Sequence, residues 1–105
     1  MRDMKYQLVL QWPAASIDSF DALIEIEDTL SEKLSREHEV DGHDSGSGEM
    51  NIFIMTDRPQ SAFNEVKAIL GSRDCWPDAR AAYREVAGDD YTILWPRGLT
   101  KFDVI

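Results

Sequence analysis

The chain has 105 residues, 43% of them hydrophobic, and a formal charge of −9 at pH 7. That length supports one hydrophobic core, and the apolar fraction argues against general disorder. An acidic surface repels phosphate backbones, so nucleic-acid binding is disfavoured. No apolar run approaches the roughly 18 residues of a membrane span, the N-terminus has no signal-peptide core, and Cys75 is the single cysteine. We therefore expect a cytoplasmic protein.

The negative charge is concentrated in one segment. Residues 16–41 hold nine of the twenty acidic residues and only two of the eleven basic ones. Such a segment is typical either of a solvated helix face that keeps a protein soluble or of a surface that attracts a basic partner. The sequence alone leaves both interpretations open.

The first predicted elements are a strand and a helix. Residues 5–12 alternate between apolar and polar side chains, which predicts a strand that ends at Pro13. Ser16 is predicted to cap the following helix, with Asp18 in its first turn. The helix should run to about residues 36–38, because apolar side chains follow helical spacing at Ile17, Phe20, Leu23, Ile24, Leu30 and Leu34.

A hairpin and a second helix are predicted next. Residues 39–44 should form a short edge strand and residues 49–56 its partner, joined by a turn at residues 45–48. The apolar run 52–55 indicates a central strand that is covered at least partly on both faces. Asp57 and Gln60 form a predicted capping box around Pro59, and Gly71 should end the helix.

Two final strands, residues 79–86 and 91–95, should pair around a turn at residues 88–90. The element order β-α-β-β-α-β-β predicts an α+β fold that begins as a ferredoxin-like βαββαβ sandwich. We expect an antiparallel or mixed sheet with the first and third strands central and the fifth strand as an extra edge beside the fourth. Two helices should cover one face and leave the other open. The predicted domain covers residues 1–96, and residues 97–105 form a weakly ordered C-terminal tail.

The segment from Asp41 to Glu49 is the main candidate for a functional site. Its glycines shape a turn, and its polar side chains directly precede the most apolar strand without an obvious role in packing. We predict that Asp41, His43, Glu49 and Asn51 are polar determinants of binding and that the glycines set their geometry. The predicted binding residues are Asp41, Gly42, His43, Asp44, Gly46, Gly48, Glu49 and Asn51.

The same segment suggests three chemical alternatives. A metal site needs imidazole and carboxylate ligands, which are available at His38, Asp41, His43, Asp44 and Glu49, although their spacing matches no strong metal motif. A phosphate cradle at residues 46–48 lacks the lysine and the following helix of a nucleotide-binding loop. Proton transfer by His43 needs a closed pocket, and the sequence indicates none. We therefore expect no catalytic residue, no metal and no cofactor, with a small metal protein or enzyme that uses His43, Asp44 and Glu49 as the alternative.

Two features outside the hairpin also bear on function. Asp74 lies beside Cys75 and should raise the pKa of the thiol, which disfavours a cysteine nucleophile. The strand and turn aromatics are typical both of interface anchors and of ordinary cross-strand packing; they are Trp76, Tyr83, Tyr91 and Trp95.

Residues 41–54, Asp-Gly-His-Asp-Ser-Gly-Ser-Gly-Glu-Met-Asn-Ile-Phe-Ile, resemble a signature of small uncharacterised bacterial proteins, most of them proteobacterial. Residues 82–84 and 89–96 resemble the end of the same family, so the likeness covers about residues 4–96. Some members carry a transporter-ATPase label. This chain has no nucleotide-binding loop and is too short for such an ATPase, so the label implies no mechanism here. Similar hairpins occur in proteins that look like bacterial immunity proteins.

Together these observations predict a non-enzymatic protein-binding or regulatory domain whose partner surface combines the hairpin with the acidic helix. A basic protein partner fits the charge, as it would for an immunity-like protein that neutralises a nuclease. We expect no contact with nucleic acid or membrane, and a possible homodimer through the open face of the sheet.

Overall fold

The fold is defined by a computed structural model that describes residues 4–17, 20–46 and 48–104. The strands are β1 (Tyr6–Pro13), β2 (His38–Gly46), β3 (Glu49–Thr56), β4 (Arg80–Glu85) and β5 (Thr92–Trp95). The helices are α1 (Phe20–Lys33) and α2 (Pro59–Leu70), and short 3₁₀ turns lie at Ala14–Ser16 and Trp76–Asp78. Neither of these two helices is long and apolar enough to cross a membrane.

The five strands form one antiparallel sheet in the order β2-β3-β1-β4-β5. The predicted α+β class, with an antiparallel sheet and two helices, is therefore confirmed. β1 occupies the centre, while β2 and β5 are the two edge strands. An edge strand presents one row of backbone groups away from the sheet, so β2 combines an open backbone edge with the acidic segment seen in the sequence.

The side chains of β1 alternate between two buried faces. Leu8, Leu10 and Trp12 are at most 1% exposed and belong to the core beneath the helices. Val9 and Gln11 point to the other face, because successive side chains of a strand alternate, and they are equally buried. The sheet is therefore covered on both sides at its centre.

Both helices pack on the same face of the sheet. Their buried side chains join the core that contains Leu8 and Leu10; they are Leu23, Ile26 and Leu30 from α1 and Ala62, Phe63, Val66 and Leu70 from α2. This arrangement confirms the apolar spacing predicted for residues 23 and 30. The side chain of Phe20, which belongs to the same predicted stripe, lies outside the described part of the structure.

The C-terminal tail, residues 97–104, packs on the second face of the sheet. Phe102 is buried against Val9 and Ala82. Gln11 Nε2 donates a hydrogen bond to the carbonyl of Asp103 at 2.8 Å. The tail therefore packs on the sheet although its sequence signals are weak, and the face that we expected to be open is partly covered by the chain itself.

The predicted start of α1 is wrong. Ser16 lies in a 3₁₀ turn, and its hydroxyl donates to Asp78 Oδ2 at 2.8 Å. The described part of the helix begins at Phe20. Asp18, which we placed in the first turn, lies outside the described residues. The Ser16 hydroxyl, which the local pattern assigned to a helix cap, is therefore hydrogen-bonded to the distant side chain of Asp78.

α1 also ends earlier than predicted, at Lys33. The amide of Ser35 donates to Glu65 Oε1 on α2 at 2.8 Å, so α2 supplies the acceptor at this point. His38 then begins β2 instead of ending the helix. The chain thus leaves α1 beside α2, which brings the start of β2 close to Glu65.

The capping box predicted for α2 is wrong, although the helix itself is present. Arg58 occupies the N-cap position without a side-chain cap, and Pro59 opens the helix as predicted. Asp57 Oδ1 accepts a hydrogen bond from the amide of Lys5 at 3.0 Å. The Asp57 carboxylate, which could cap α2, therefore connects the start of β1 to the end of β3. The Gln60 side chain donates a hydrogen bond to Asn64, one turn further along α2.

Candidate functional site

The predicted site lies on the β2–β3 hairpin. β2 is longer than predicted and carries a register shift between Val40 and Gly42. Gly48 has a φ of 80°, a backbone conformation that suits glycine. Ser47 lies outside the described residues. The glycines therefore shape the hairpin at the turn that the sequence indicated and at a bulge beside Gly42, whose φ is 141° and which the sequence did not indicate.

The hairpin distributes the candidate side chains over the two faces of the sheet. His43 pairs with Ile52, whose side chain is in the helix-side core, while Asp44 pairs with Asn51 on the other face. Adjacent residues of a strand point in opposite directions. His43 and Asp44 therefore do not form one constellation for metal binding or proton transfer.

His43 is held by α1. Its Nδ1 lies 2.9 Å from Glu27 Oε2 and 3.1 Å from Glu27 Oε1, and both side chains are mostly buried. Glu27 was not among the predicted site residues, because it lies 16 residues before His43 and only the fold brings the two side chains together.

Glu49 and Asn51 also form hydrogen bonds with side chains of other strands. Glu49 Oε2 accepts a hydrogen bond from Arg80 Nη2 at 2.7 Å. Asn51 Oδ1 accepts one from Gln11 Nε2 at 3.1 Å, and both of these side chains are at most 2% exposed. Asn51 thus lies beneath the surface, where it connects the sheet through Gln11 to the C-terminal tail.

Asp41 and Asp44 differ from these residues because both are exposed. No side-chain hydrogen bond or ion pair joins either carboxylate to another residue within the described ranges. Gly42 and Gly46 flank them in the same strand. Of the predicted polar residues, Asp41 and Asp44 are therefore the ones whose carboxylates are available to a partner.

A second polar cluster lies at the start of β2. His38 is buried, its Nδ1 lies 2.8 Å from Thr56 Oγ1, and its Nε2 lies 3.0 Å from Glu65 Oε2. Glu65 also accepts hydrogen bonds from the amide and hydroxyl of Ser35 at 2.8 and 2.9 Å. Glu37 lies beside this pair. The sequence placed His38 among metal candidates, but it gave no signal for Glu65, which lies 27 residues further along the chain.

Burial opposes ionisation of Glu65, but its contacts outweigh that effect. Desolvation alone would raise the pKa of the carboxyl. Hydrogen bonds from Ser35 and the nearby imidazole of His38 favour the carboxylate instead, and the pKa of Glu65 lies below its usual value. This side chain is therefore an anionic acceptor at neutral pH.

The surface depression beside Cys75 has a volume of about 430 Å³ and includes the Glu25–Arg73 ion pair. Burial is the main cause of a raised pKa at the Cys75 thiol, and Asp74 adds to it. A thiol with a raised pKa is a poor nucleophile near neutral pH. Asp74 thus acts on the pKa of the thiol in the direction that the sequence indicated, although burial has the larger effect.

The aromatic side chains that we considered as interface anchors pack against one another. Trp76 stacks on Phe63 and on Trp95, with ring centroids 6.2 and 5.9 Å apart. Tyr83 contacts Tyr6 edge to face. Tyr91 contacts Phe102. These contacts favour the cross-strand and core interpretation of the aromatics.

The acidic side chains of α1, α2 and the β2–β3 hairpin fall into two groups. Glu25, Glu27, Glu49 and Glu65 each contact a basic side chain or a histidine within 3.1 Å. A second group is exposed on α1 and β2 and has no ion pair within the described residues; it comprises Asp21, Asp28, Glu32, Glu39, Asp41 and Asp44. We call this second group the acidic surface. Comparisons with protein-family models, curated proteins and solved structures find no match to the chain.

Proposed function

We propose that this protein is a non-enzymatic binding or regulatory domain of the cytoplasm that recognises a basic protein through the acidic surface. The observation that carries the proposal is the division between paired and unpaired carboxylates. Acids that face the sheet or the other helix have partners, whereas those on the outer side of α1 and on β2 have none within the described residues. Carboxylates that form no ion pair within the described fold are free to interact with a partner.

The position of β2 supports the same conclusion. It is an edge strand, and Glu39, Asp41 and Asp44 are exposed along it. α1 lies next to it, as the contact between Glu27 and His43 shows. Carboxylates from two adjacent elements create a negative potential that accelerates association with a positively charged protein. Neutralising such a partner is the immunity-like form of this proposal.

The hairpin residues have different roles in the proposal. Asp41 and Asp44 contact the partner, and Gly42, Gly46 and Gly48 set the path of the backbone that presents them. His43, Glu49 and Asn51 hold the hairpin to α1, β4 and β1 respectively. Of the predicted polar residues, the exposed ones therefore contact the partner, and the buried or half-buried ones stabilise the hairpin.

The fold that presents this surface is, in our proposal, a ferredoxin-like βαββαβ sandwich with an added edge strand. Two observations support it: β3 lies between β1 and β2, and β1 lies between β3 and β4. Each helix thus connects two strands that are separated by one antiparallel neighbour. A homodimer, if it forms through the second face, has to use the part that residues 97–104 leave uncovered.

Two charge-reversal variants test the proposal. One combines Asp28→Lys, Glu39→Lys and Asp44→Lys on the acidic surface. The control combines Glu85→Lys, Asp89→Lys and Asp90→Lys, which are also exposed and produce the same change in formal charge. Each protein is immobilised and exposed to a lysate of its native host, and captured proteins are quantified by mass spectrometry.

We expect the wild type and the control variant to capture the same basic protein, and the acidic-surface variant to lose it. Raising the salt concentration should weaken capture, because surface charges are screened over about 10 Å at 0.1 M. Equal capture by both variants contradicts the proposal. So does a captured set without a basic protein.

A further inference from the structure

Three side chains with metal-binding atoms meet where α1 has ended and β2 begins. Glu37 and His38 come from this junction, and Glu65 comes from α2. One ligand atom from each lies within 4.8 Å of the other two. They include an imidazole and two carboxylates from distant parts of the sequence, a donor set that suits zinc and related divalent transition metals.

The contacts of His38 give the ring a fixed orientation. Nδ1 lies 2.8 Å from Thr56 Oγ1, and Nε2 points towards Glu65. Thr56 Oγ1 also accepts a hydrogen bond from the amide of Arg58 at 2.9 Å. A hydroxyl oxygen has two lone pairs, so it can accept the Nδ1 proton as well. A metal ion can then take the place of the proton between Nε2 and the Glu65 carboxylate, and metal-bound histidines use a partner of this kind on the other nitrogen.

Glu65 is oriented in a similar way. The amide and hydroxyl of Ser35 each donate to one of its carboxylate oxygens. These contacts keep the side chain beside His38, with Oε2 3.0 Å from Nε2. The two carboxylates balance the charge of a divalent cation. The charged end of Arg58 lies 3.9 Å from Glu37, and its side chain is mostly exposed, so it has room to move away from an incoming cation.

We propose that Glu37, His38 Nε2 and Glu65 form a binding site for a divalent transition metal, with zinc as the best chemical fit. Three protein ligands leave a fourth position for water or for a group from a partner. Imidazole nitrogen disfavours calcium and magnesium, which prefer oxygen ligands. The metal links the start of β2 to α2, so binding stabilises the fold. This site is separate from the acidic surface and uses a different histidine from the hairpin alternative.

Zinc binding to the full chain tests the proposal. The protein is dialysed against ZnCl₂ at several free concentrations, and bound metal is counted by mass spectrometry. The variants are His38→Gln, Glu37→Gln and Thr56→Val. His43→Gln is the matched control, because His43 also contacts a glutamate. Circular dichroism verifies folding of each variant, and Glu37→Gln changes an exposed residue if His38→Gln fails to fold.

We expect one zinc per chain for the wild type and for His43→Gln. His38→Gln should abolish binding, and both Glu37→Gln and Thr56→Val should weaken it about tenfold or more. A hundredfold excess of zinc over its Kd should raise the Tm of the wild type by roughly 10 °C. Absence of saturable binding overturns the proposal, as does wild-type affinity in Glu37→Gln or an equal loss in His43→Gln.

Discussion

Replacing Asn51 with leucine tests whether this hairpin residue supports the fold or contacts a partner. Asn51 Oδ1 accepts one hydrogen bond from Gln11 Nε2, and the other Nε2 proton is donated to the carbonyl of Asp103. Asn51→Leu keeps the branching at Cγ and the number of side-chain heavy atoms but removes the first acceptor. Because Gln11 is only 1% exposed, water cannot readily replace the lost partner.

The size of the effect follows from that loss. A buried donor left without an acceptor costs about 1–3 kcal/mol, a large share of the roughly 5–15 kcal/mol that holds a domain folded. A second change, Gln11→Leu, removes the stranded donor and leaves the carbonyl of Asp103 on an exposed residue. The double variant should therefore be more stable than the sum of the two single losses predicts, by about 0.5–3 kcal/mol.

Urea unfolding followed by tryptophan fluorescence measures these free energies. Asp44→Ala is the control, because Asp44 pairs with Asn51 in the sheet but is exposed. It should change the free energy of unfolding by less than about 0.5 kcal/mol. An Asn51→Leu protein as stable as the wild type refutes the structural role, and strictly additive single losses refute the coupling to Gln11.

Three further predictions concern the tail, the ion pair beside α1 and the hairpin turn. Phe102→Ala should lower the free energy of unfolding by about 3 kcal/mol and increase hydrogen exchange across the tail; unchanged exchange contradicts tail packing. Hydrogen bonds from Arg73 lower the pKa of Glu25 from 4.5 to about 2. The stabilisation from this pair is thus present above pH 4.5 and lost as the pH falls towards 2, so Glu25→Gln should flatten that part of an acid-unfolding series; a curve as steep as that of the wild type argues against it. Gly48→Ala should cost about 1–2 kcal/mol because of its positive φ, and Gly46→Ala should cost less; equal losses contradict this account of the turn.

The class of the fold was predictable because its main signals are local. The alternation of residues 6–12 and the apolar run 52–55 mark strands that are buried in the sheet, and both lie where predicted. The spacing of apolar residues also identified α1, while Pro59 and Gly71 marked the two ends of α2. Periodicity works here because each element buries its apolar side chains against the same sheet.

The helix ends were less predictable because several polar side chains bond to distant residues. Ser16 and Asp57 are typical caps, but one donates to the carboxylate of Asp78 and the other accepts from the amide of Lys5. The tail carries only scattered apolar residues, such as Phe102. These pack against strand residues that are distant in the sequence. Neither outcome has a local signature.

The same distinction applies to the candidate site. The glycines and the edge position of the hairpin were visible in the sequence, but the partners of its polar residues were not. Glu27, Arg80 and Gln11 come from three other elements. Only the fold therefore separates Asp41 and Asp44, which are exposed, from the buried polar residues of the same segment.

The most direct test of the acidic surface is chemical-shift mapping with a lysine-rich peptide. The isotope-labelled protein is titrated with the peptide at low salt, and amide shifts are followed in nitrogen–proton correlation spectra. We predict that the largest shifts occur in residues 21–32 and 38–46 and that they disappear in the Asp28→Lys, Glu39→Lys, Asp44→Lys variant. Shifts centred on residues 85–92, or spread evenly over all exposed acids, contradict the account.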